Sequence, residues 1–428
     1  MLDIKYVREN KEKVEKAARD KHMTVDITHV LEIDDKRKEL QIVVQQLQEE
    51  RNILTNAITG KPTDDQIAKG KELRERLARE EDALKAVQEE LKEYLYKVPN
   101  VPLDSVPFGE SEDDNVVSKT VGEPTKFSFQ PKNHWEIAQL HGWIDKERAA
   151  KVSGARFAYL KGDLVRLHFA VVQFVMQTLT DESVLKKIID GNHLNVSPKG
   201  FVPVLPPAMV RTEPYQKTAR LNKEETTYKI EGEDAWLNAS AEHSLCPMYM
   251  DETLEEQELP LRFIGYSTSF RKEAGTYGKD MEGILRMHQF DKLEMESFTT
   301  PEEGLEEHAF LIAIQEYLMQ ELGLPYRVLQ KCVADIGGPN AAGVDIEVWL
   351  PGQQKYRETH TADYMTDYQA RRLQTRIKGK GFVHTNDATA MSQRPLIAIL
   401  ENYQQEDGSV RVPQVLQKWI GKEVIGEK

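Results

Sequence analysis

The sequence predicts an α+β fold: an antiparallel sheet flanked by helices, preceded by an N-terminal antiparallel coiled-coil hairpin. Three observations carry that expectation. Leucine recurs at heptad spacing from about residue 34 to residue 97 around a single glycine–proline break. A proline-punctuated acidic stretch follows over about residues 99–126. Beyond it, short apolar runs recur without the regular strand–helix–strand rhythm of a parallel sheet. The expected division is an N-terminal domain over 1–98, a linker over 99–126 and a larger α+β domain over 127–428.

In the hairpin, Leu40, Leu47 and Leu54 stand seven apart, with Val43, Val44 and Ile58 beside them. The seam resumes with Leu73, Leu77, Leu84, Val87, Leu91 and Leu95. A period near 3.5 marks helices that pack against each other along one stripe. Between the two runs, Gly60-Lys61-Pro62 followed by Thr63-Asp64-Asp65 reads as a helix stop, a turn and a capped restart. About 25 to 30 residues per helix give an arm on the order of 40 Å long. Its lysines and arginines are interleaved with acids, so a solvated face accounts for most of them, and the arm alone does not establish RNA binding.

The linker carries prolines at 99, 102, 107 and 124 and the acidic run Glu110-Ser111-Glu112-Asp113-Asp114, and reads as exposed and irregular. Past it, residues 164–179 read as an apolar-rich helix. Residues 202–205, 261–266 and 344–350 read as strands, the last alternating Val344, Ile346, Val348 and Leu350 with Asp345, Glu347 and Trp349 as if half-buried.

Composition narrows the function classes. The chain has 428 residues, 39% hydrophobic and 30% charged, with a formal net charge of -14. No apolar run reaches the ~18 residues of a membrane span, and the charged start lacks an apolar signal core. Two distant cysteines, Cys246 and Cys332, exclude a disulfide scaffold and leave no zinc-ligand spacing, so no zinc is expected and a cytoplasmic location fits. The acidic total argues against promiscuous nucleic-acid binding, and no DNA partner is expected. RNA binding through one local basic face stays open.

The segment that carries chemistry runs from Phe270-Arg271-Lys272-Glu273-Ala274-Gly275 to Gly283-Ile284-Leu285-Arg286-Met287-His288-Gln289-Phe290-Asp291-Lys292-Leu293-Glu294. It reads as a strand ending in Arg-x-Glu, a loop with three glycines, and a returning strand bearing Arg286, Phe290 and Glu294. An arginine there offers a fork for phosphate oxygens. A carboxylate two residues on shares its strand face and can accept from an exocyclic amine.

As a whole this segment resembles motif 2 of the class II aminoacyl-tRNA synthetases, in its seryl form. Lys199-Gly200-Phe201-Val202-Pro203-Val204-Leu205-Pro206-Pro207 is similar to motif 1, read as helix, strand and dimer contact. Ser392-Gln393-Arg394 leading into Pro395-Leu396-Ile397-Ala398-Ile399-Leu400-Glu401-Asn402-Tyr403-Gln404 is similar to motif 3. The start Met1-Leu2-Asp3-Ile4, His134-Trp135-Glu136 and Tyr368-Gln369-Ala370-Arg371-Arg372 extend the resemblance to the seryl family over nearly the whole chain.

The resemblance implies a class II catalytic domain that activates L-serine with ATP and transfers it to tRNA(Ser), and it leaves open tRNA(Sec). Arg271 would grip the α-phosphate, Glu273 would hold the adenine amine, and Phe290 would stack on the ring. Arg286 and Arg394 would bind the outer phosphates, with Arg394 opposite Phe290. Glu358 and Thr361 would meet Mg2+ and the α-phosphate. Arg271, Glu358 and Arg394 would be the catalytic set. Serine would be recognised by Ser240, Glu242, Glu294 and Thr389. The resemblance further implies a homodimer whose arm reads the long variable arm of the tRNA by shape and backbone.

Some segments depart from the family pattern. Asn386-Asp387-Ala388-Thr389-Ala390-Met391-Ser392-Gln393 precedes Arg394 where the family tends to read Leu-Asn-Gly-Ser-Gly-Leu-Ala-Val-Gly, so the segment is one residue shorter and lacks the glycine before the arginine. Thr359-His360-Thr361-Ala362-Asp363-Tyr364 follows Glu358 where small Ser, Cys and Asn residues are usual. Near Asn340-Ala341-Ala342-Gly343, a commonly basic position is not basic. These segments lie near the amino-acid pocket. The alternatives are thus a paralogue of altered amino-acid specificity and a non-catalytic one. His360 reads as a packing residue.

Overall fold

The computed structural model describes residues 1–221, 226–273 and 283–427. The chain divides into two compact units, Met1–Val101 and Pro102–Lys428.

In the first unit, two short helices, α1 (Ile4–Glu9) and α2 (Lys11–Asp20), precede the long α3 (Ile27–Asn56) and α4 (Asp64–Lys97). α3 begins several residues before the expected start of the arm, because Asp26 caps it by accepting from the His29 amide. The helices are 30 and 34 residues long, which corresponds to about 45–50 Å at 1.5 Å per residue. Val44, Leu47, Leu73 and Leu77 form their buried seam, with Val43, Leu54 and Leu84 packed beside it. The restart after the turn is a capping box: the Gln66 amide donates to Thr63 Oγ1 (3.3 Å), and the Thr63 amide donates to Gln66 Oε1 (3.0 Å). At the base, Asp34 is buried and accepts from Arg8 at 2.8 Å and Arg37 at 2.7 Å. Burial alone would push its carboxyl up, but these partners and Lys38 pull it down to about 2.

The second unit is built on an eight-stranded sheet. In chain order its strands are β1 (Val116–Val121), β2 (Val202–Val204), β3 (Leu261–Phe270), β4 (Gln289–Thr299), β5 (Tyr326–Gln330), β6 (Ala342–Leu350), β7 (Lys355–Thr366) and β8 (His384–Met391). Their spatial order is β1-β5-β6-β7-β8-β4-β3-β2. Every pairing is antiparallel except β2 with β3. The main helices are α5 (His134–His141), α6 (Asp163–Thr180), α7 (Gly304–Glu321) and α8 (Gln393–Asn402).

Strand side chains alternate faces, and here the alternation separates core from site. Ile264 of β3, Leu293 and Met295 of β4, Val344 and Ile346 of β6, Ala362 of β7 and Ala388 and Ala390 of β8 enter the main core beneath α6, α7 and α8. Their strand neighbours point to the opposite face, which carries the polar residues described below.

The structure corrects several expectations. The stretch read as an irregular linker contains β1, which pairs with β5 at the sheet edge. β6 keeps the expected alternation at Glu347 and Trp349, which are partly exposed opposite buried Val344, Ile346, Val348 and Leu350, but Asp345 is buried as well, at 8% exposure. No helix leads directly into β2, since the preceding helix ends at Gly191. β3 ends at Phe270, so Arg271 and Glu273 do not share a strand face; Glu273 sits at φ 46° after the chain has left the ladder. Likewise β4 starts at Gln289, leaving Arg286 just before the strand. Of the three loop glycines, Gly275 and Gly278 lie outside the described residues.

Candidate active site

On the polar face of the sheet is a cavity of about 370 Å³. All eleven residues singled out from the sequence line it: Ser240, Glu242, Arg271, Glu273, Arg286, Phe290, Glu294, Glu358, Thr361, Thr389 and Arg394.

At one end the arginines and Phe290 meet. Arg271 is held by its Nε, which donates to the Ala239 carbonyl at 3.1 Å, and its guanidinium lies 5.2 Å from the centre of the Phe290 ring. The Arg271 amide donates to the His288 carbonyl (3.0 Å) and the Lys272 amide to the Thr226 carbonyl (3.1 Å). The chain therefore stays anchored past the end of β3. Arg286 Nη1 reaches Glu273 Oε2 at 3.1 Å.

The segment leading to Arg286 is held at Ile284 by a contact the sequence did not announce. His134, at the start of α5, is buried with Nδ1 3.0 Å from Glu401 Oε1. Its Nε2 accepts from the Ile284 amide at 3.3 Å. Gly283 makes this approach possible: at φ +66°, a Cβ there would stand 2.1 Å from His134 Nε2. The segments 134–136 and 401–404, noted only as points of resemblance, thus support the returning half of the loop.

Opposite, Glu358 and Arg394 pair. Arg394 Nη1 donates to the Glu358 carbonyl at 2.9 Å and to Glu358 Oε1 at 3.0 Å. A bulge between β6 and β7 skips Thr359, since Ile346 pairs with His360 but Glu347 pairs with Glu358. Strict alternation would send Glu358 and Thr361 to opposite faces; the bulge brings both to the cavity, with Thr361 Oγ1 3.5 Å from Glu358 Oε1. Burial raises the Glu358 carboxyl, but Arg394, Lys331 and Arg271 outweigh it and hold it at about 2. It is a carboxylate at neutral pH. Asp345, opposite Thr361 on β6, is pushed up to about 8, by burial first, with Lys331 pulling the other way.

The far end of the cavity is a buried polar floor. Ser240, Glu242, Glu294 and Thr389 are all at most 5% exposed, and Glu294 stands opposite Thr389 across β4 and β8. Lys292, not singled out from the sequence, closes on Glu294 and lies 3.4 Å from Ser240 Oγ. Burial raises the Glu294 carboxyl and Lys292 pulls it back. Glu242 Oε1 accepts from Arg220 Nε and Gln369 Nε2, each at 2.8 Å. Arg220 also donates to Asp387 at 2.9 Å and Asp363 at 3.2 Å. None of Arg220, Asp363 and Asp387 was singled out as a site residue. Asp363 and Asp387 lie in two of the segments that depart from the family pattern, and Arg220 lies in none of them. His360 points away from the cavity, between Thr359 Oγ1 (2.8 Å) and the Ala390 carbonyl (3.2 Å), a packing residue as expected.

Chemically, the arrangement offers three guanidinium groups, a carboxylate–hydroxyl pair and an aromatic face at one end, and a floor of buried polar side chains at the other. Such a site can hold a polyphosphate nucleotide beside a small zwitterion.

Sheet, motifs and cavity define a class II aminoacyl-tRNA synthetase. Residues 226–403 match the family model for the tRNA synthetase class II core domain (G, H, P, S and T), and residues 1–102 match the seryl-tRNA synthetase N-terminal domain. A serine–tRNA ligase from Thermodesulfovibrio yellowstonii is 39% identical over 440 aligned positions, covering 99% of this chain and 100% of that protein. The crystal structure of seryl-tRNA synthetase from Pyrococcus horikoshii complexed with ATP superposes with a TM-score of 0.87 at 36% identity, covering 99% of both chains. That of the cytoplasmic serine–tRNA ligase from Naegleria fowleri in complex with AMP gives 0.84 at 28% identity, covering 99% of this chain and 98% of that one. The chain belongs to the seryl-tRNA synthetase family.

Proposed function

We propose that this chain activates L-serine with ATP and transfers it to tRNA(Ser), acting as a cytoplasmic homodimer. What supports this most is that eleven side chains selected from sequence, spread from 240 to 394, line one cavity. In this reading the serine carboxylate attacks the α-phosphorus of ATP. A carboxylate oxygen–phosphorus bond forms, the bond to pyrophosphate breaks, and seryl-adenylate remains. No protein nucleophile is needed, so catalysis rests on alignment and charge neutralisation. Arg271 neutralises the α-phosphate, and Arg286 and Arg394 the outer phosphates. Phe290 packs on the adenine, and Glu273 accepts from its amine.

Glu358 and Thr361 present two hard oxygens, one of them anionic at neutral pH, on the same side of β7. That suits Mg2+, which completes its shell with substrate phosphates and water. Bound there, the ion would supply further neutralisation of phosphate charge.

Ser240 and Glu242 receive the α-ammonium, while Glu294 and Thr389 face the side-chain hydroxyl. A pocket floored by these buried groups disfavours alanine, which would leave them unpaired. The helical arm reads the tRNA by shape and backbone. The exposed apolar side chains Val202 and Leu205 of motif 1, the latter 80% exposed, supply a surface for the second subunit. Among the described residues no helix is long and apolar enough to cross a membrane.

ATP–pyrophosphate exchange tests the reading. Serine-dependent exchange that falls by at least about a hundredfold in Arg271→Ala is expected. Absence of exchange with serine would overturn it.

A further inference from the structure

Tyr215 belongs to a short helix, Thr212–Lys217, and borders the cavity. It is fully buried, with its ring centre 4.4 Å from that of the His243 imidazole, and it packs with Val210 and Trp236. His243 Nδ1 accepts from the Ala239 amide at 3.1 Å, and the Ala239 carbonyl accepts from Arg271 Nε at the same distance. A ring contact and two hydrogen bonds thus link the phenol to the guanidinium assigned to the α-phosphate. The same turn, from Ser240 to His243, carries both groups assigned to the α-ammonium.

The ring has an evident packing role, but the hydroxyl has none. It is buried and has no hydrogen-bond partner among the described residues, in a side chain that lines the cavity. An unpaired buried hydroxyl lowers stability, whereas phenylalanine would keep the ring contact without that loss. In a native protein such an orphan calls for a partner from outside the chain. Burial first, then the Glu242 charge, holds the phenol well above its ordinary range, with Arg271 pulling the other way, so the group is a donor at neutral pH.

What this donor meets follows from its neighbours. Glu242 and Arg271 act on it most strongly among the charges, and they are the residues assigned to the α-ammonium and the α-phosphate. In an amino acid poised on ATP, the group between ammonium and phosphate is the carboxylate. One of its oxygens attacks phosphorus, while the other takes no part in bond making and becomes the carbonyl oxygen of the adenylate. We infer that the Tyr215 hydroxyl donates to this second oxygen, and so is a substrate contact that aims the attacking oxygen at the α-phosphorus. The inference rests on the cavity being an aminoacyl-adenylate site. A bond to a carboxylate is charge-assisted and stronger than one between neutral groups. No bond is made or broken at Tyr215: the carboxylate attacks and pyrophosphate leaves as above.

The test is Tyr215→Phe in the full-length protein, which removes the hydroxyl and keeps the ring. In ATP–pyrophosphate exchange the variant should lose about ten- to a hundredfold in kcat/KM for L-serine. The KM for serine should rise and the KM for ATP should not. Melting of the unliganded variant should be unchanged or higher, because an unpaired hydroxyl has gone. A serine kcat/KM within about threefold of wild type overturns the inference and leaves serine activation standing. So does a fall of more than about 3 °C in the melting of the unliganded variant, since the hydroxyl would then be satisfied within the protein. Should the variant not fold, the wild type crystallised with a seryl-adenylate analogue decides. A Tyr215 hydroxyl within about 3.2 Å of the acyl oxygen supports the inference, and one beyond about 4 Å overturns it. Absence of serine-dependent exchange by the wild type overturns the proposed function and this inference together.

Discussion

Arg262 and Glu307 form a fully buried ion pair beneath the site. The guanidinium meets the carboxylate bidentately, Nε to Oε1 at 2.7 Å and Nη2 to Oε2 at 2.6 Å. Nη1 donates to the Ser197 and Lys199 carbonyls at 2.7 Å each, and the Phe310 ring centre lies 4.7 Å from the guanidinium carbon. Arg262 sits on β3 and Glu307 on α7, so the pair ties the sheet to its covering helix and to the chain entering β2. Glu307→Leu strands a charge with only two carbonyls to satisfy it, and the expected loss is about 3–5 kcal/mol. Arg262→Met combined with Glu307→Leu removes both ions. It leaves the two carbonyls without their donor, at roughly 1–3 kcal/mol each, but no buried charge. The double variant should therefore be less unstable than the sum of the two singles by at least about 2 kcal/mol. Scanning calorimetry reads this as a fall of about 6–20 °C in the melting of the larger unit for Glu307→Leu, at ~2–4 °C per kcal/mol. A fall under about 3 °C, or strict additivity in the cycle, would show that the pair does not act as a buried ion pair.

Further perturbations address other parts of the chain. Deleting about residues 36–97 should abolish tRNA charging and spare serine-dependent exchange; charging that survives removes the arm from the mechanism. Leu47→Ala or Leu77→Ala, each cutting into the buried seam of the arm, should cost about 2–5 kcal/mol and lower its helical melting, followed by circular dichroism. Burial holds the His360 imidazole down at about 4, so the unfolded chain binds this proton more readily than the native one. Stability linked to His360 is then present above its ordinary pKa of ~6.5 and lost as pH falls toward about 4, by up to ~3 kcal/mol. Denaturation series at pH 7.5 and 4.5 should show that loss, and His360→Gln should flatten it; an unchanged slope would contradict a buried neutral imidazole.

Local chemistry made much of this legible. The hairpin could be read because heptad leucines, a Gly-Lys-Pro break and a Thr-Asp-Asp capped restart all pointed the same way, and Leu47, Leu73 and Leu77 lie in its buried seam. The nucleotide end was legible because its residues cluster in one contiguous motif. Other features depend on distant strands meeting. The β7 bulge that turns Glu358 and Thr361 to one face is invisible to an alternation argument. The strand face assumed for Arg271 and Glu273 failed because the ladder ends one residue too early, at Phe270. β1 was hidden in proline-rich sequence because an edge strand can carry little apolar signal. The Arg220 cluster joins three segments across more than 160 residues, so nothing local marked it.

The central claim is that Arg271, Glu273 and Phe290 face a nucleotide, with the amino acid beyond them over Glu242 and Glu294. A crystal structure with a non-hydrolysable seryl-adenylate analogue, the N-seryl sulfamate of adenosine, tests it most directly. The adenine should lie against Phe290 with its amine hydrogen-bonded to Glu273, the sulfamoyl oxygens on Arg271, and the seryl ammonium at Ser240 and Glu242. An analogue bound elsewhere, or bound here with Arg271 and Glu273 turned to bulk water, would contradict the account.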